Sequence, residues 1–170
     1  MNPKLASMNI LAGFMLVVIS SASAGTMAAN DLKGLVHAIL ENHIDQQFFE
    51  HSFDAKLEKT VDTPAELRYV GPGPMLRDGT RIDEVLVVKY SNGLPAPLIV
   101  GAGISGRCIK IQEIEDSFKN VKMTGMLPHP QPDASSWYRA QTGTGWIEFF
   151  INLHSRCLSS MKIFQRDPLR

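Results

Sequence analysis

Residues 136–165 read SWYRAQTGTGWIEFFINLHSRCLSSMKIFQ, and this stretch decides the fold class. Within it Ile147, Phe149 and Ile151 alternate with Trp146, Glu148, Phe150 and Asn152. A period of two sends successive side chains to opposite faces of a strand. One face is therefore wholly apolar and the other mixed, which suits an antiparallel sheet with one buried side. Thr142-Gly143-Thr144-Gly145 is a turn joining this strand to one over Ser136–Gln141, and Cys157–Gln165 forms a third strand. The end of the chain is a meander.

Reading backwards, Leu127–Asp133 (LPHPQPD) has three prolines at alternate positions and forms an extended loop. Ile111, Ile114, Phe118 and Val121 recur at helical spacing and predict a helix over about 107–120. An alternating strand over Arg107–Glu113 fits the same residues. Gly101–Gly106 (GAGISG) reads as a glycine-rich loop after a short strand over Pro97–Val100. Glu84–Tyr90 (EVLVVKY) is the clearest single strand, closed by the turn Ser91-Asn92-Gly93. Gly71-Pro72-Gly73-Pro74 is a loop, preceded by a short strand over Glu66–Val70 and a Thr63-Pro64 turn. Leu32, Leu35, Val36, Ile39, Leu40 and His43 predict an amphipathic helix over 31–44, capped by Asn30. Phe48, Phe49, Phe53 and Leu57 continue a helical spacing into a second helix. The expected fold is α+β: N-terminal helices, then a mostly antiparallel sheet with one inserted helix.

The first residues carry a different signal. Lys4 precedes the apolar run Ile10–Ile19, and Ala22-Ser23-Ala24 forms an A-x-A cleavage signature. The run is too short for a bilayer, which needs about 20 residues. Residues 1–24 are thus expected to be a signal peptide, and 25–170 a single exported domain, periplasmic or secreted, with no stable membrane span after cleavage. The 17 basic and 17 acidic residues of the whole chain cancel. That balance speaks against nucleic-acid binding, which needs a basic surplus. The cancellation hides polarity: residues 31–66 sum to −5 and residues 107–170 to +3. Cys108 and Cys157 are the two cysteines, and in an exported chain they pair most simply as one disulfide.

Motifs for catalysis are weak. Gly101-Ala102-Gly103-Ile104-Ser105-Gly106 matches the dinucleotide pattern G-x-G-x-x-G, but only 64 residues follow it, too few for the remaining βαβ units. No cofactor is expected. His37 and His43 lie six apart and face different sides of a helix, and no H-x-x-x-H or C-x-x-C exists, so no metal site is expected. Ser159-Ser160-Met161-Lys162 matches S-x-x-K without the accompanying S-D-N or K-T-G. The adjacent carboxylates Asp83-Glu84 and Glu115-Asp116 diverge and make no glycosidase pair. Cys108 followed by His154 resembles, in order, the papain-like cell-wall peptidases, which implies a thiol nucleophile at Cys108 and a base at His154. The small residues after the cysteine and the glycine after the histidine are replaced here by Ile109, Lys110 and Ser155.

Three functional readings follow. The leading one is an exported protein-binding or inhibitory protein, most concretely an immunity-type protein neutralising an envelope-targeting toxin. Its partner-binding loops would be Gly71-Pro72-Gly73-Pro74, the glycines Gly101, Gly103 and Gly106, and Pro128-His129-Pro130-Gln131-Pro132-Asp133, because stiff loops lose little entropy on docking. The second is a Cys/His cell-wall hydrolase. The third is an accessory subunit of an envelope secretion or pilus assembly.

Overall fold

The computed structural model describes residues 31–41, 46–53, 55–90, 98–126 and 134–165. The expected signal peptide, Asn30, the turn at 91–93 and the proline-rich loop Leu127–Asp133 lie outside them. In chain order the elements are α1 (Leu32–Glu41), α2 (Gln46–Phe53), β1 (Glu58–Asp62), β2 (Glu66–Gly71), β3 (Thr80–Tyr90), β4 (Leu98–Gly106), α3 (Ile111–Ser117), β5 (Lys122–Met126), β6 (Ser135–Gln141), β7 (Gly145–Asn152) and β8 (Leu158–Gln165). The fold is α+β with a sheet-dominated core.

All eight strands join one sheet in the order β1-β2-β3-β4-β8-β7-β6-β5, with every neighbouring pair antiparallel. Two four-stranded meanders, each preceded by helix, meet through their last strands, β4 and β8. This leaves the first strand of each meander, β1 and β5, at the two edges.

The apolar face predicted for the terminal meander is the core face. Ile147, Phe149 and Ile151 of β7, Met161 and Ile163 of β8, and Val100, Ala102 and Ile104 of β4 are all at most 6% exposed. Leu32, Leu35, Val36 and Ile39 of α1 are buried in the same cluster, and burying each such side chain contributes on the order of 2 kcal/mol. The cap of α1 is Asp31, whose Oδ1 accepts the Gly34 N–H at 2.8 Å. Gln165, buried at the end of β8, donates from Nε2 to the Leu40 carbonyl at 3.1 Å and ties α1 to the sheet.

Four local expectations are corrected. Gly101–Gly106 is not a loop: it lies within β4, paired on one side to β3 and on the other to β8. Val100, Ala102 and Ile104 supply the inward set, and Gly101 and Gly103 merely occupy the outward positions between them. Only Gly106 needs to be glycine for its backbone, with φ +78° where the strand ends. This placement also excludes the strand-turn-helix layout of a dinucleotide site. Second, β3 begins at Thr80 and not Glu84, because a bulge between Ile82 and Glu84 switches the buried parity from Thr80 and Ile82 to Val85 and Val87. Third, residues 107–110 are neither helix nor strand. The Arg107 N–H is held by the Gly79 carbonyl at 3.1 Å and the Ile109 carbonyl by the Leu158 N–H at 2.9 Å, so the helix starts only at Ile111. Fourth, the second helix is present but ends at Phe53, and Leu57 lies outside it, one residue before β1.

Candidate functional site

One end of the sheet gathers the ends of five strands. The pairs Thr80↔Gly106, Gly103↔Ser160, Ile151↔Leu158, Ser135↔Asn152 and Met126↔Ser136 place the end of β4, the start of β8, the end of β7, the start of β6 and the end of β5 on this side. The Cys108–Cys157 disulfide, with Cα atoms 5.0 Å apart, clamps the residues leaving β4 to those starting β8. It closes a sequence separation of 49 residues, for which loop-closure entropy gives about 4 kcal/mol before any strain is subtracted.

Charged groups fasten the same segment further. Arg107 bridges Asp78, at 3.4 Å, and Glu113. The Lys110 N–H donates to Glu113 Oε1 at 3.1 Å, covering the start of α3. Lys110 Nζ reaches across to the Ser155 carbonyl at 3.2 Å and lies 3.8 Å from Cys157 Sγ. In the β7–β8 turn, Asn152 Oδ1 accepts the backbone N–H groups of His154 and Ser155 at 3.0 and 2.9 Å, and Arg156 adopts φ +56°. His154 therefore sits in a turn shaped by Asn152. Cys108 is bonded through its sulfur to Cys157, and a disulfide sulfur is not a thiolate nucleophile. In the oxidised protein the Cys108–His154 arrangement has no reactive thiol.

The Gly71-Pro72-Gly73-Pro74 segment packs onto the body of the protein. A side chain at Gly71 would strike the Lys56 carbonyl, and one at Gly73 would strike Ile82. The Ile82 N–H donates to the Pro74 carbonyl at 3.0 Å. Of the four residues only Pro72 is fully exposed. Gly101, Gly103 and Gly106 are strand residues, and Pro128, His129, Pro130, Gln131, Pro132 and Asp133 lie outside the described residues.

What the sequence reading missed is apolar and exposed. Among the described residues the large hydrophobic side chains left exposed are Met75 (63%), Met123 (52%) and Met126 (55%). Met75 lies in the β2–β3 connection. Met123 and Met126 belong to edge strand β5 and border a groove of about 430 Å³, floored by Ile111, Tyr138, Ile151 and Leu153 and flanked by Lys110 and Arg156. The two methionines are three apart in sequence, yet both oppose groove-lining positions on β6: Met123 faces Tyr138 and Met126 faces Ser136. A register shift between Met123 and Gly125 brings this about. A spacing of three does not read as a strand, which is why the sequence concealed β5.

The opposite face of the sheet also carries aromatics, but these are matched to one another. Trp146 stacks on Phe164 at 4.6 Å with the Arg139 guanidinium 5.6 Å from its ring centre. Arg139 also pairs with Glu148 at 2.6 Å. Trp137 lies 6.3 Å from Phe150, over whose ring Lys162 Nζ sits at 5.3 Å. Such cross-strand pairs stabilise β6, β7 and β8 against one another.

No protein-family model, no curated protein and no solved structure matches the chain. Among the described residues no helix is long and apolar enough to cross a membrane.

Proposed function

We propose that this chain is an exported protein-binding protein of inhibitory type, most concretely one that neutralises an envelope-targeting toxin by covering it. The observation that carries this reading is the pair of exposed methionines Met123 and Met126 on edge strand β5, which with Met75 are the exposed large hydrophobics among the described residues, on a sheet whose nearby end is stapled by a disulfide. Methionine side chains are flexible and polarisable, and surfaces that must fit a partner's contours use them heavily. A rigid frame beneath them limits the entropy lost on docking. The leader-like residues 1–24 and the cysteine pair support an oxidising destination outside the cytoplasm.

The test is affinity capture from the envelope fraction of the source cells with the oxidised protein as bait, followed by an activity assay on whatever is retained. The expected result is one dominant partner whose lytic or toxic activity falls when the bait is added. Recovery of no partner, or of a partner whose activity is unchanged, would overturn the reading.

A further inference from the structure

We infer that the open edge of β5 and the groove beside it receive an extended, acidic segment of the partner protein, which adds to the sheet as a ninth strand. The inference rests on the protein-binding reading above and names the partner's chemistry. Three observations lead to it. First, β5 is hydrogen-bonded to β6 alone among the described strands, so none of the described strands occupies the other side of its backbone, the side on which a further strand adds. Second, Met123 and Met126 stand exposed at the lip of the groove, offering an apolar seat for one side chain of an incoming strand. Third, the charged residues lining the groove are Lys110 and Arg156, with no carboxylate among them, and neither cation is paired with a carboxylate among the described residues. An alternating strand sends every second side chain to one face. A segment with apolar residues on the groove side and Asp or Glu near its end therefore meets both the methionine lip and the two cations. A basic segment meets the same cations with repulsion.

The probe is a phage-displayed library of random octapeptides, selected on the oxidised protein. The expected outcome is enrichment of peptides with apolar residues at every second position and Asp or Glu near one end. Their affinity should fall about tenfold or more in Met126→Glu, the size of a truncated central contact. It should fall about threefold, with a flatter salt dependence, in Arg156→Asn, because that cation lies at the rim. Asn accepts the positive φ at position 156, so this second variant keeps the turn intact. Selection of no peptides that combine this apolar spacing with a terminal acid, or of peptides that bind Met126→Glu unchanged, would overturn the inference. A dimer of the protein that dissociates in Met126→Glu would put a second copy of the chain at this edge and overturn it as well. A captured envelope partner that binds Met126→Glu as tightly as the parent sinks the edge and leaves the inhibitory function standing. Edge-dependent peptide binding with no envelope partner does the reverse.

Discussion

The two edges of the sheet, β1 and β5, have the same length and the same exposure, with four exposed positions and one half-buried position in the same order. Both also carry a register shift, between Lys59 and Val61 in β1 and between Met123 and Gly125 in β5. Their chemistry differs. Glu58, Lys59 and Asp62 cover β1 with both signs of charge, and Lys59 Nζ sits 2.5 Å from Asp62 Oδ2. An arriving strand would have to strip water from these groups, which is how natural proteins blunt an edge. β5 has Lys122 and then Met123, Thr124, Gly125 and Met126, and nothing there resists an apolar strand. Exposure alone does not separate a closed edge from an open one. The side chains on it do.

The largest effect is expected where the two edges depend on one core. Phe149 is fully buried, with its ring 5.1 Å from that of Phe118. Phe149→Ala should cost about 3–5 kcal/mol in denaturant unfolding, and exchange protection should fall at β1 and β5 together. Loss confined to one edge would show that the two meanders unfold separately. Next is the staple. Replacing Cys108 and Cys157 together by Ser should cost about 2–4 kcal/mol. Hydrogen exchange should rise over 107–110 and 153–158 while β1 and β2 keep their protection. Equal loss over β1 and β2 would contradict the confinement of the staple's local effect to the segments leaving β4 and entering β8.

A smaller change tests how β5 is held. The Trp137 ring lies over Gly125 so closely that a Cβ there would collide with it. Gly125→Val should cost about 1–3 kcal/mol through overpacking and shift the tryptophan fluorescence, and an unchanged spectrum would contradict the contact. Smallest in stability, but most direct, is an exchange of edge chemistry. Lys59→Met with Asp62→Met should leave unfolding nearly unchanged and raise concentration-dependent self-association in sedimentation. Met123→Lys with Met126→Glu should also leave unfolding nearly unchanged, should not alter self-association, and should remove binding of the selected octapeptides at β5. The β1 pair also has a pH signature. The hydrogen bond to Asp62, and after it the Asp62 charge, raises the Lys59 pKa above its ordinary value near 10.5. A raised lysine pKa stabilises the fold below the ordinary value, and that contribution is lost as pH climbs through the raised one. NMR titration of Lys59 should show the elevation, and Asp62→Asn should remove it.

Legibility followed periodicity. The 136–165 meander was readable because its strands alternate and its turns carry glycine, and all three strands stand within a residue of their predicted bounds. The stripe Leu32, Leu35, Val36 and Ile39 was readable for the same reason at helical spacing. Reading fails at two bulges that break the period, Ile82–Glu84 and Met123–Gly125, since one extra residue moves the later side chains to the other face. It fails also at Gly101 and Gly103, which read as punctuation although the inward residues Val100, Ala102 and Ile104 alternate around them. At the candidate site, the Cys108–Cys157 pair was legible from the number of cysteines and the expected export of the chain. Met75, Met123 and Met126 were not, because a methionine becomes a surface feature only once its strand has been assigned a face.

The sequence by itself determined the α+β class, the terminal meander, the amphipathic first helix and the pairing of two cysteines, because each is written in local spacing or simple counting. Only the tertiary structure decided that GAGISG is an inner strand of the sheet and that EKTVD and KMTGM are its edges. These segments carry little pattern of their own. Their strand state comes from backbone hydrogen bonds to neighbours far away in sequence, and a period within one segment cannot report the ladder that another segment supplies.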